Sequence, residues 1–360
     1  MRRHGFLMGL FAALFWQTTI GCTMFQFESP EGIIVGNNFD YFDGGGFIFV
    51  NPVHVNKTAM VYPPDIPFVW ESKYGSVTFN PFGRENPVSG MNEKGLVIGV
   101  LWLGQTKYPE PDKRFAIGEL NWVQYHLDQC ETVEEVLRSD AFLRIHRNAV
   151  GMMHFFAADS TGDAVVIEFL DGRQIVHRGE DLPYHVVTNS TYQKSLQILE
   201  LNPLGQKCYN KPMVNPDRDR FEYTLRMVED FPGDPNSVQY GFKTLKKVSL
   251  PENKMNITTQ WSIVYDTTGN VVYFKTSQAP TIKTIDLKAI SYNCGDPLKV
   301  SNIHIEKGGS INQRWEQYDR KRIFEQVKRI ISKAWMTEGK FTDDMLEDMI
   351  RRPEYFPCSH

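Results

Sequence analysis

The chain has 360 residues, of which 41% are hydrophobic and 13% aromatic, so it can bury a large core and is not a disordered protein. It carries 39 Lys and Arg against 43 Asp and Glu, a net charge of −4, and so lacks the basic excess that binding to a phosphate backbone requires. Nucleic acid is therefore excluded as an expected partner, and a small molecule is favoured.

The first 21 residues are typical of a secretory signal. A short basic stretch, Met1-Arg2-Arg3-His4, precedes twelve uncharged and mostly apolar residues from Gly5 to Trp16. A helix that spans a membrane needs about 20 such residues, so this run is too short. Small and polar residues then lead to Gly21, where a signal peptidase would cut. We expect residues 1–21 to be a signal peptide and the mature chain, 22–360, to be periplasmic or secreted, with no stable membrane anchor.

The mature chain begins with a β pattern. Its first six residues, Cys22-Thr23-Met24-Phe25-Gln26-Phe27, are rich in β formers. A turn at Ser29-Pro30-Glu31-Gly32 leads into the apolar Ile33-Ile34-Val35-Gly36, which predicts a hairpin with Cys22 at its first position. Further strands are predicted at Phe47 to Val50, Ser76 to Asn80 and Gly95 to Leu103.

The rest of the chain alternates helical and strand patterns. Helices are predicted from Phe115 to Cys130 and from Thr132, which has capping-box spacing to Glu135. The strands expected next are Met152 to Ala158, Ala164 to Leu170, Gln174 to His177, Trp261 to Tyr265 and Val271 to Lys275. The later helices are expected near Arg218 to Asp230, Ser237 to Lys247, Lys321 to Trp335 and Thr342 to Arg351.

This order of elements predicts an α+β fold. Strands and helices come in blocks with tight hairpins, and the alternation of a doubly wound fold is missing, so antiparallel sheets with helices on their outer faces are favoured. No linker rich in Pro, Gly or Ser divides the chain and no repeat recurs. Residues 22–360 are therefore predicted to form one domain.

The five cysteines are too far apart for a CxxC redox or zinc pattern. Because five is odd, one thiol of an exported protein must stay unpaired or pair between chains. Cys130 lies on the apolar face of a helical pattern and is predicted to be a buried core thiol. Pairing among Cys130, Cys208, Cys294 and Cys358 stays open, and Cys22 is the candidate free thiol.

Several common sites are excluded by their motifs. HExxH, GxSxG, the Walker loop and GxGxxG do not occur, and the nine histidines form no cluster with the spacing of metal ligands. We therefore expect no metal and no cofactor. Single histidines within strands, such as His154 and His177, are predicted to be structural residues held by hydrogen bonds.

Cys22 carries the strongest chemical signal. A thiol beside a free α-amino group has its own base, because that amine titrates near pH 7.7 to 8.0 and can accept the thiol proton. One residue then supplies both nucleophile and base. The alternative is a lipoprotein cysteine, which would anchor a binding protein. Against it, Thr19 stands where a large aliphatic residue is usual, and a strand begins at Cys22 where a flexible tether would be expected.

Five short motifs support the catalytic alternative. In order along the chain they are Cys22-Thr23, Gly36-Asn37-Asn38-Phe39-Asp40, Gly90-Met91-Asn92-Glu93-Lys94-Gly95-Leu96, Thr188-Asn189-Ser190 and Asp219-Arg220-Phe221. Together they resemble the choloylglycine hydrolase family, which comprises conjugated bile acid hydrolases and penicillin V acylases. The resemblance covers about Cys22 to Asp230 and, more weakly, the rest. It implies an N-terminal nucleophile hydrolase with a four-layered αββα fold, two antiparallel sheets between layers of helices.

The resemblance also implies roles for individual residues. Cys22 matches the nucleophile that processing exposes, and Asp40 matches the aspartate that bonds its α-amino group. Asn189 matches the asparagine whose amide helps to bind the oxyanion, and Arg220 an arginine that polarises the nucleophile. The Gly90 to Leu96 motif is interpreted as a turn that sets strand register.

Two positions depart from the family pattern. Asn37 stands where an arginine is usual, which removes a cation that would favour the thiolate. Trp102 stands where many bile acid hydrolases have asparagine, so only its backbone N–H could face the oxyanion. A tryptophan here resembles the penicillin-acylase-like branch of Gram-negative bacteria.

The sequence thus predicts an exported amidase that cleaves a linear carboxamide C–N bond through a Cys22 acyl-enzyme. The expected partner is a small N-acyl amide such as penicillin V, a bile acid conjugate or an N-acyl amino acid, and the chain is expected to form a homo-oligomer, a dimer or a tetramer. The alternatives are acyl transfer on the same fold and a lipid-anchored binding protein without catalysis.

Overall fold

A computed structural model describes residues 21–251, 256–333, 337 and 340–359. The predicted signal segment up to Ile20 lies outside the described residues. The described chain contains seven α-helices, which are α1 (Glu119–Gln129), α2 (Val133–Arg138), α3 (Tyr192–Leu201), α4 (Pro216–Glu229), α5 (Ser237–Lys247), α6 (Arg320–Lys333) and α7 (Asp343–Arg351). Within the described residues, no helix combines the length and the hydropathy needed to cross a membrane.

Most of the strands are short. In chain order they are β1 (Cys22–Ser29), β2 (Gly32–Tyr41), β3 (Phe47–Asn51), β4 (Asn56–Thr58), β5 (Val69–Glu71), β6 (Ser76–Asn80), β7 (Ser89–Asn92), β8 (Val97–Trp102), β9 (Phe115–Ile117), β10 (Leu143–Ile145), β11 (Met153–Ala158), β12 (Ala164–Leu170), β13 (Arg173–Arg178), β14 (Val186–Val187), β15 (Thr258–Asp266), β16 (Val271–Thr276), β17 (Lys283–Asp286), β18 (Val300–Asn302) and β19 (Gly309–Ser310).

Two large sheets form the centre of the described structure. The first has seven strands in the order β14-β1-β2-β15-β16-β17-β19, and the second has eight in the order β13-β12-β11-β8-β7-β6-β3-β18. They pack face to face so closely at Gly99 of β8 that a Cβ there would lie 2.4 Å from the sulfur of Met24 on β1. The space between the sheets is therefore filled by side chains from both inner faces.

Helices cover both outer faces, which confirms the predicted four-layered αββα fold. On the first sheet, Asn38 of β2 donates to the carbonyl of Leu245 on α5 at 2.8 Å. On the second, Asn92 at the end of β7 donates to the carbonyl of Leu127 on α1 at 2.9 Å. Helices α6 and α7 pack their apolar faces against Phe47 and Phe49 of β3.

The hairpin of β1 and β2 has the predicted position. Gly32 closes its turn with φ of +132°, a conformation that residues with a side chain rarely adopt. The antiparallel register places Cys22 opposite Phe39, and β15 pairs with the other edge of β2. The first two family motifs, which contain Cys22 and Asp40, therefore lie on adjacent strands of the first sheet.

Some elements differ from the sequence predictions. The helix predicted over Phe115 to Cys130 starts later, because Phe115–Ile117 forms a strand that pairs in parallel with β10 and α1 begins after Gly118. Helix α3 was not predicted, although Thr191 caps it by accepting from the Lys194 N–H. Strands β17 and β19 also pair in parallel at the edge of the first sheet. Trp335, the last residue of one predicted helix, lies outside the described residues.

The cysteines pair only in part. Cys294 and Cys358 form a disulfide with their Cα atoms 5.9 Å apart, whereas Cys22, Cys130 and Cys208 are unpaired and buried. Cys130 is thus the core thiol that its helical pattern predicts. Cys22 is unpaired, as predicted, and Cys208 is a third unpaired thiol whose state the sequence left open.

Candidate active site

Cys22 lies at the start of β1 and lines a cavity of about 520 Å³. Its side chain is almost fully buried. Burial, together with the negative charge of Asp40, raises the pKa of Cys22 to about 12, although Arg220 and the backbone N–H groups of Asp40 and Trp102 act in the opposite direction. With the Gly21–Cys22 peptide bond intact, the thiol is therefore protonated at neutral pH and needs a base to become nucleophilic.

Asp40, on β2, is the buried carboxylate beside this peptide bond. Thr259 of β15 donates its hydroxyl to Oδ1 at 2.5 Å, and Nη1 of Arg220 lies 3.6 Å from Oδ2. Burial raises the pKa of Asp40 to about 7, although Arg220 and the Thr259 hydroxyl oppose the rise. Within the described residues, Oδ2 accepts no hydrogen bond.

The backbone before Cys22 is pressed against this carboxylate. A Cβ on Gly21 would lie 2.9 Å from Asp40 Oδ2, 3.0 Å from Arg220 Nη1 and 2.4 Å from a methyl carbon of Leu250. Such contacts are too short for real side chains, so the position suits glycine. The acceptor left over on Asp40 therefore faces the stretch of backbone that contains the Gly21–Cys22 bond.

Arg220 joins the elements of the site. It projects from α4, is fully buried, and donates through Nη1 to the Cys22 carbonyl at 2.7 Å and to the Thr23 hydroxyl at 3.3 Å. Its Nη2 donates to Oδ1 of Asn189 at 3.0 Å. One guanidinium thus fixes β1 against the segment that carries Asn189, and its charge lies close to both Asp40 and the thiol.

Asn189 and Trp102 complete the cluster. Asn189 precedes α3, and its Oδ1 accepts from the Cys22 N–H at 2.5 Å, while its Nδ2 donates to the Trp102 carbonyl at 2.8 Å. An amide nitrogen has two N–H donors. Trp102 ends β8 and lines the cavity. The structure therefore brings all five predicted site residues together, and their chemical roles stay predictions.

Asn37 is near this cluster but uncharged. It lies on β2 opposite Met24, is buried, and donates weakly to the Asn38 carbonyl at 3.4 Å. The cation that lowers the pKa of Cys22 is Arg220 on α4. The expected effect of the missing arginine on the thiolate stays a prediction.

Sequence reasoning missed two residues that support the site. Thr259 of β15 donates a hydrogen bond to Asp40. No motif in the neighbouring sequence identifies this threonine as part of a site. Glu168 of β12 is buried, accepts the Tyr192 N–H at the start of α3 at 2.8 Å, and contacts His154 and His177 at 3.4 and 3.3 Å. Those two histidines are thus held by a buried carboxylate, as expected of structural residues, and Glu168 helps to fix the segment that follows Asn189.

The cavity is mostly apolar. Its apolar and aromatic lining includes Phe39, Tyr41, Trp102, Phe82 and Met60. Its titratable groups besides Cys22 and Asp40 include Asp65, Glu119, His146 and Lys340. In the described part of the chain, no group of His, Cys, Asp or Glu has the arrangement needed to hold a metal ion. The arrangement suits nucleophilic attack by a thiol on a substrate with a bulky apolar group.

The chain is similar to known amide hydrolases. Residues 22–300 match the family model described as linear amide C–N hydrolases, choloylglycine hydrolase family. The chain is 28% identical over 320 residues to a penicillin V acylase of Pectobacterium atrosepticum, an alignment that covers 76% of this chain and 83% of the relative.

Solved structures show the same fold. A penicillin V acylase from Agrobacterium tumefaciens superposes with a TM-score of 0.72 at 25% identity, covering 83% of this chain and 98% of that one. A mutant conjugated bile acid hydrolase from Clostridium perfringens gives a TM-score of 0.65 at 18% identity, covering 81% and 98%. The second likeness concerns the fold alone.

Proposed function

The chain belongs to the choloylglycine hydrolase family of linear amide C–N hydrolases, and from that premise we propose that it cleaves N-acyl amides through a thioester on Cys22. The observation that carries the proposal is the buried Oδ2 of Asp40, which accepts no hydrogen bond from any residue that the structure describes and faces the backbone at Gly21. Cleavage of the Gly21–Cys22 bond would leave an amine at this place, and an amine can donate to that oxygen.

Processing is the first step of the proposed function. Residues 1–21 direct export to the periplasm or the exterior and are then removed, which frees the α-amine of Cys22. This amine has an ordinary pKa near 7.7 to 8.0 and can accept the thiol proton. The intact peptide N–H has no such basicity, so the uncleaved chain is inactive.

Acylation of Cys22 is the second step of the proposed function. Sγ attacks the carbonyl carbon of the substrate while its proton passes to the α-amine. The negative oxygen that forms is stabilised by the Trp102 backbone N–H and by the second N–H of Asn189 Nδ2. The C–N bond then breaks, the α-ammonium gives its proton to the leaving amine, and a thioester on Cys22 remains.

Deacylation repeats these steps with water. The α-amine takes a proton from water, the resulting hydroxide attacks the thioester carbonyl, and the carboxylic acid leaves as Sγ regains its proton. Arg220 and Asp40 hold Cys22 in place throughout, and the charges of their side chains stay close to the amine. No step uses a metal or a cofactor. The apolar cavity favours substrates with an apolar acyl group, and a panel of penicillin V, bile acid conjugates and N-acyl amino acids tests this activity.

The mature N-terminus gives the most direct test of processing. We expect protein secreted by its native host to have the intact mass of residues 22–360 with a free amine. The amine is required as the base, so a mass that retains Met1 would contradict the proposal. A mass that includes acyl chains on Cys22 would instead support the lipid-anchored alternative, because lipidation blocks the amine.

The pH dependence tests the role of Asp40. Thr259→Val removes the hydroxyl that holds the pKa of Asp40 down. The pKa of Asp40 should therefore rise, and the carboxylate that binds the Cys22 amine should persist only at higher pH. We expect the acidic limb of the kcat/KM profile to move upward by about one pH unit, the size of one hydrogen bond to a charged group.

A neighbouring threonine serves as a matched control for this shift. Thr258 donates to the Leu250 carbonyl at 2.8 Å. Thr258→Val should therefore leave the acidic limb unchanged. An acidic limb that stays in place in Thr259→Val, or moves downward, would show that ionisation of Asp40 does not limit the reaction.

A further inference from the structure

The C-terminal helices supply part of the wall of the active-site cavity. Ile331 of α6 and Met345 and Met349 of α7 line the same cavity as Cys22. These helices follow residue 300, where the match to the family model ends. This part of the cavity wall is therefore supplied by residues outside the matched segment.

This wall is fixed to the catalytic part of the structure. Asp43, three residues after Asp40, is buried and accepts from Arg329 and Lys333 of α6 at 3.0 Å each. The end of the chain is held by the Cys294–Cys358 disulfide and by the Asn56 N–H, which donates to the Pro357 carbonyl at 2.9 Å. The C-terminal part of α6 and the segment that follows α7 are thus both anchored.

A continuous apolar surface leads from Cys22 to α7. The ring of Phe39, which is opposite Cys22, lies 5.3 Å from that of Tyr41, and Tyr41 lies 6.1 Å from Phe82. Phe82 packs against both the main core and the cluster that contains Met349. A group attached to Sγ can therefore extend along aromatic rings to the methionines of α7.

We propose that α7 selects the acyl group, and that the preferred acyl group is an unbranched aliphatic chain long enough for its end to contact Met345 and Met349. This inference rests on the proposed function. Methionine has no branch and a polarisable sulfur, so it packs well against a flexible aliphatic chain. An aliphatic chain also gains binding with every methylene that it buries, whereas a charged amine would lose hydration against this wall.

The test is a series of N-acyl derivatives of one amine, from acetyl to dodecanoyl. For the wild-type chain we expect kcat/KM to rise about fourfold per methylene until the cavity is filled. Met345→Glu places a charge at the end of the path and should lower kcat/KM for the longer chains at least tenfold while leaving the acetyl substrate within twofold. Met345 is 39% exposed, so the variant is expected to fold.

Two further variants make the outcome specific. Met345→Leu keeps an apolar side chain, so for the longer acyl chains it should lose much less kcat/KM than Met345→Glu. Leu201→Glu, a charge added at a residue 78% exposed on α3, should leave the wild-type dependence on chain length unchanged. An equal loss at every chain length in Met345→Glu, or no loss at any, overturns the role of α7. So does a wild-type rate that does not rise with chain length.

A different experimental outcome would contradict the proposed amidase function itself. If the processed wild-type chain hydrolyses none of these amides, including the acetyl compound, then the amidase itself is wrong. If it hydrolyses them and Met345→Glu has the wild-type dependence on chain length, only the inference about α7 fails.

Discussion

Cys22→Ala should lower kcat for amide hydrolysis by about 10⁶-fold, the scale seen when a nucleophile is removed from a catalytic unit. The variant keeps the proposed α-amine but has no sulfur to form the thioester. The side chain at this position is buried and small, so alanine fits the same space. Hydrolysis measured with a substrate from the active panel, together with a thermal unfolding curve, checks the prediction.

Another unpaired cysteine offers the control. Cys208 is buried, and it packs with Tyr223 and Val248, apart from the cavity. Cys208→Ala leaves a small space in that cluster and should reduce stability slightly while kcat stays unchanged. More than about one part in a thousand of the activity in Cys22→Ala would mean that a different group attacks the carbonyl.

Structural features that depend only on neighbouring residues are the ones that the sequence predicts best. The hairpin at Cys22 is specified by β formers on both sides of a turn that ends in glycine, so its position could be predicted from about fifteen residues. The cap at Thr132 is equally local: its hydroxyl accepts from the Glu135 N–H at 3.3 Å. These features need no knowledge of the rest of the chain.

Contacts between distant residues were predictable only through the resemblance. Arg220 bonds the Cys22 carbonyl across 198 positions, and no periodicity in α4 distinguishes it from an ordinary exposed helix charge. Thr259 reaches Asp40 because β15 pairs with β2, a register that neither strand specifies by itself. Its part in the site therefore appears only in the folded structure.

The strand at Phe115 to Ile117 shows how tertiary pairing overrides a local pattern. The apolar spacing from Ala116 to Cys130 fits a helix, yet the first three residues pair with β10 and Gly118 interrupts the helical backbone. The methionines of α7 that line the cavity could not be recognised from the sequence either. Methionines on the apolar face of a helix have the same pattern whether they pack into a core or face a substrate.

Asn189→Ala should lower kcat by about 10² to 10³ with little change in KM, a loss of roughly 3 to 4 kcal/mol of transition-state stabilisation. In the proposed mechanism the second N–H of Nδ2 binds the oxyanion, which exists only as charge forms, so its loss should affect the chemical step more than binding. Steady-state kinetics on a substrate of the active panel separate the two parameters. Ser190→Ala, at the next position, is the matched control and should keep the wild-type kcat.

The alanine variant alone does not identify the atom responsible, because Oδ1 of Asn189 also accepts from the Cys22 N–H and from Arg220. Asn189→Asp separates the two functions, since a carboxylate keeps the oxygen acceptor and removes both N–H donors. If the donor stabilises the oxyanion, Asn189→Asp should be as slow as Asn189→Ala, even though Cys22 and Arg220 stay in place. If Asn189→Asp keeps most of the activity, the side chain acts only by positioning Cys22, and the Trp102 backbone N–H stabilises the oxyanion without it.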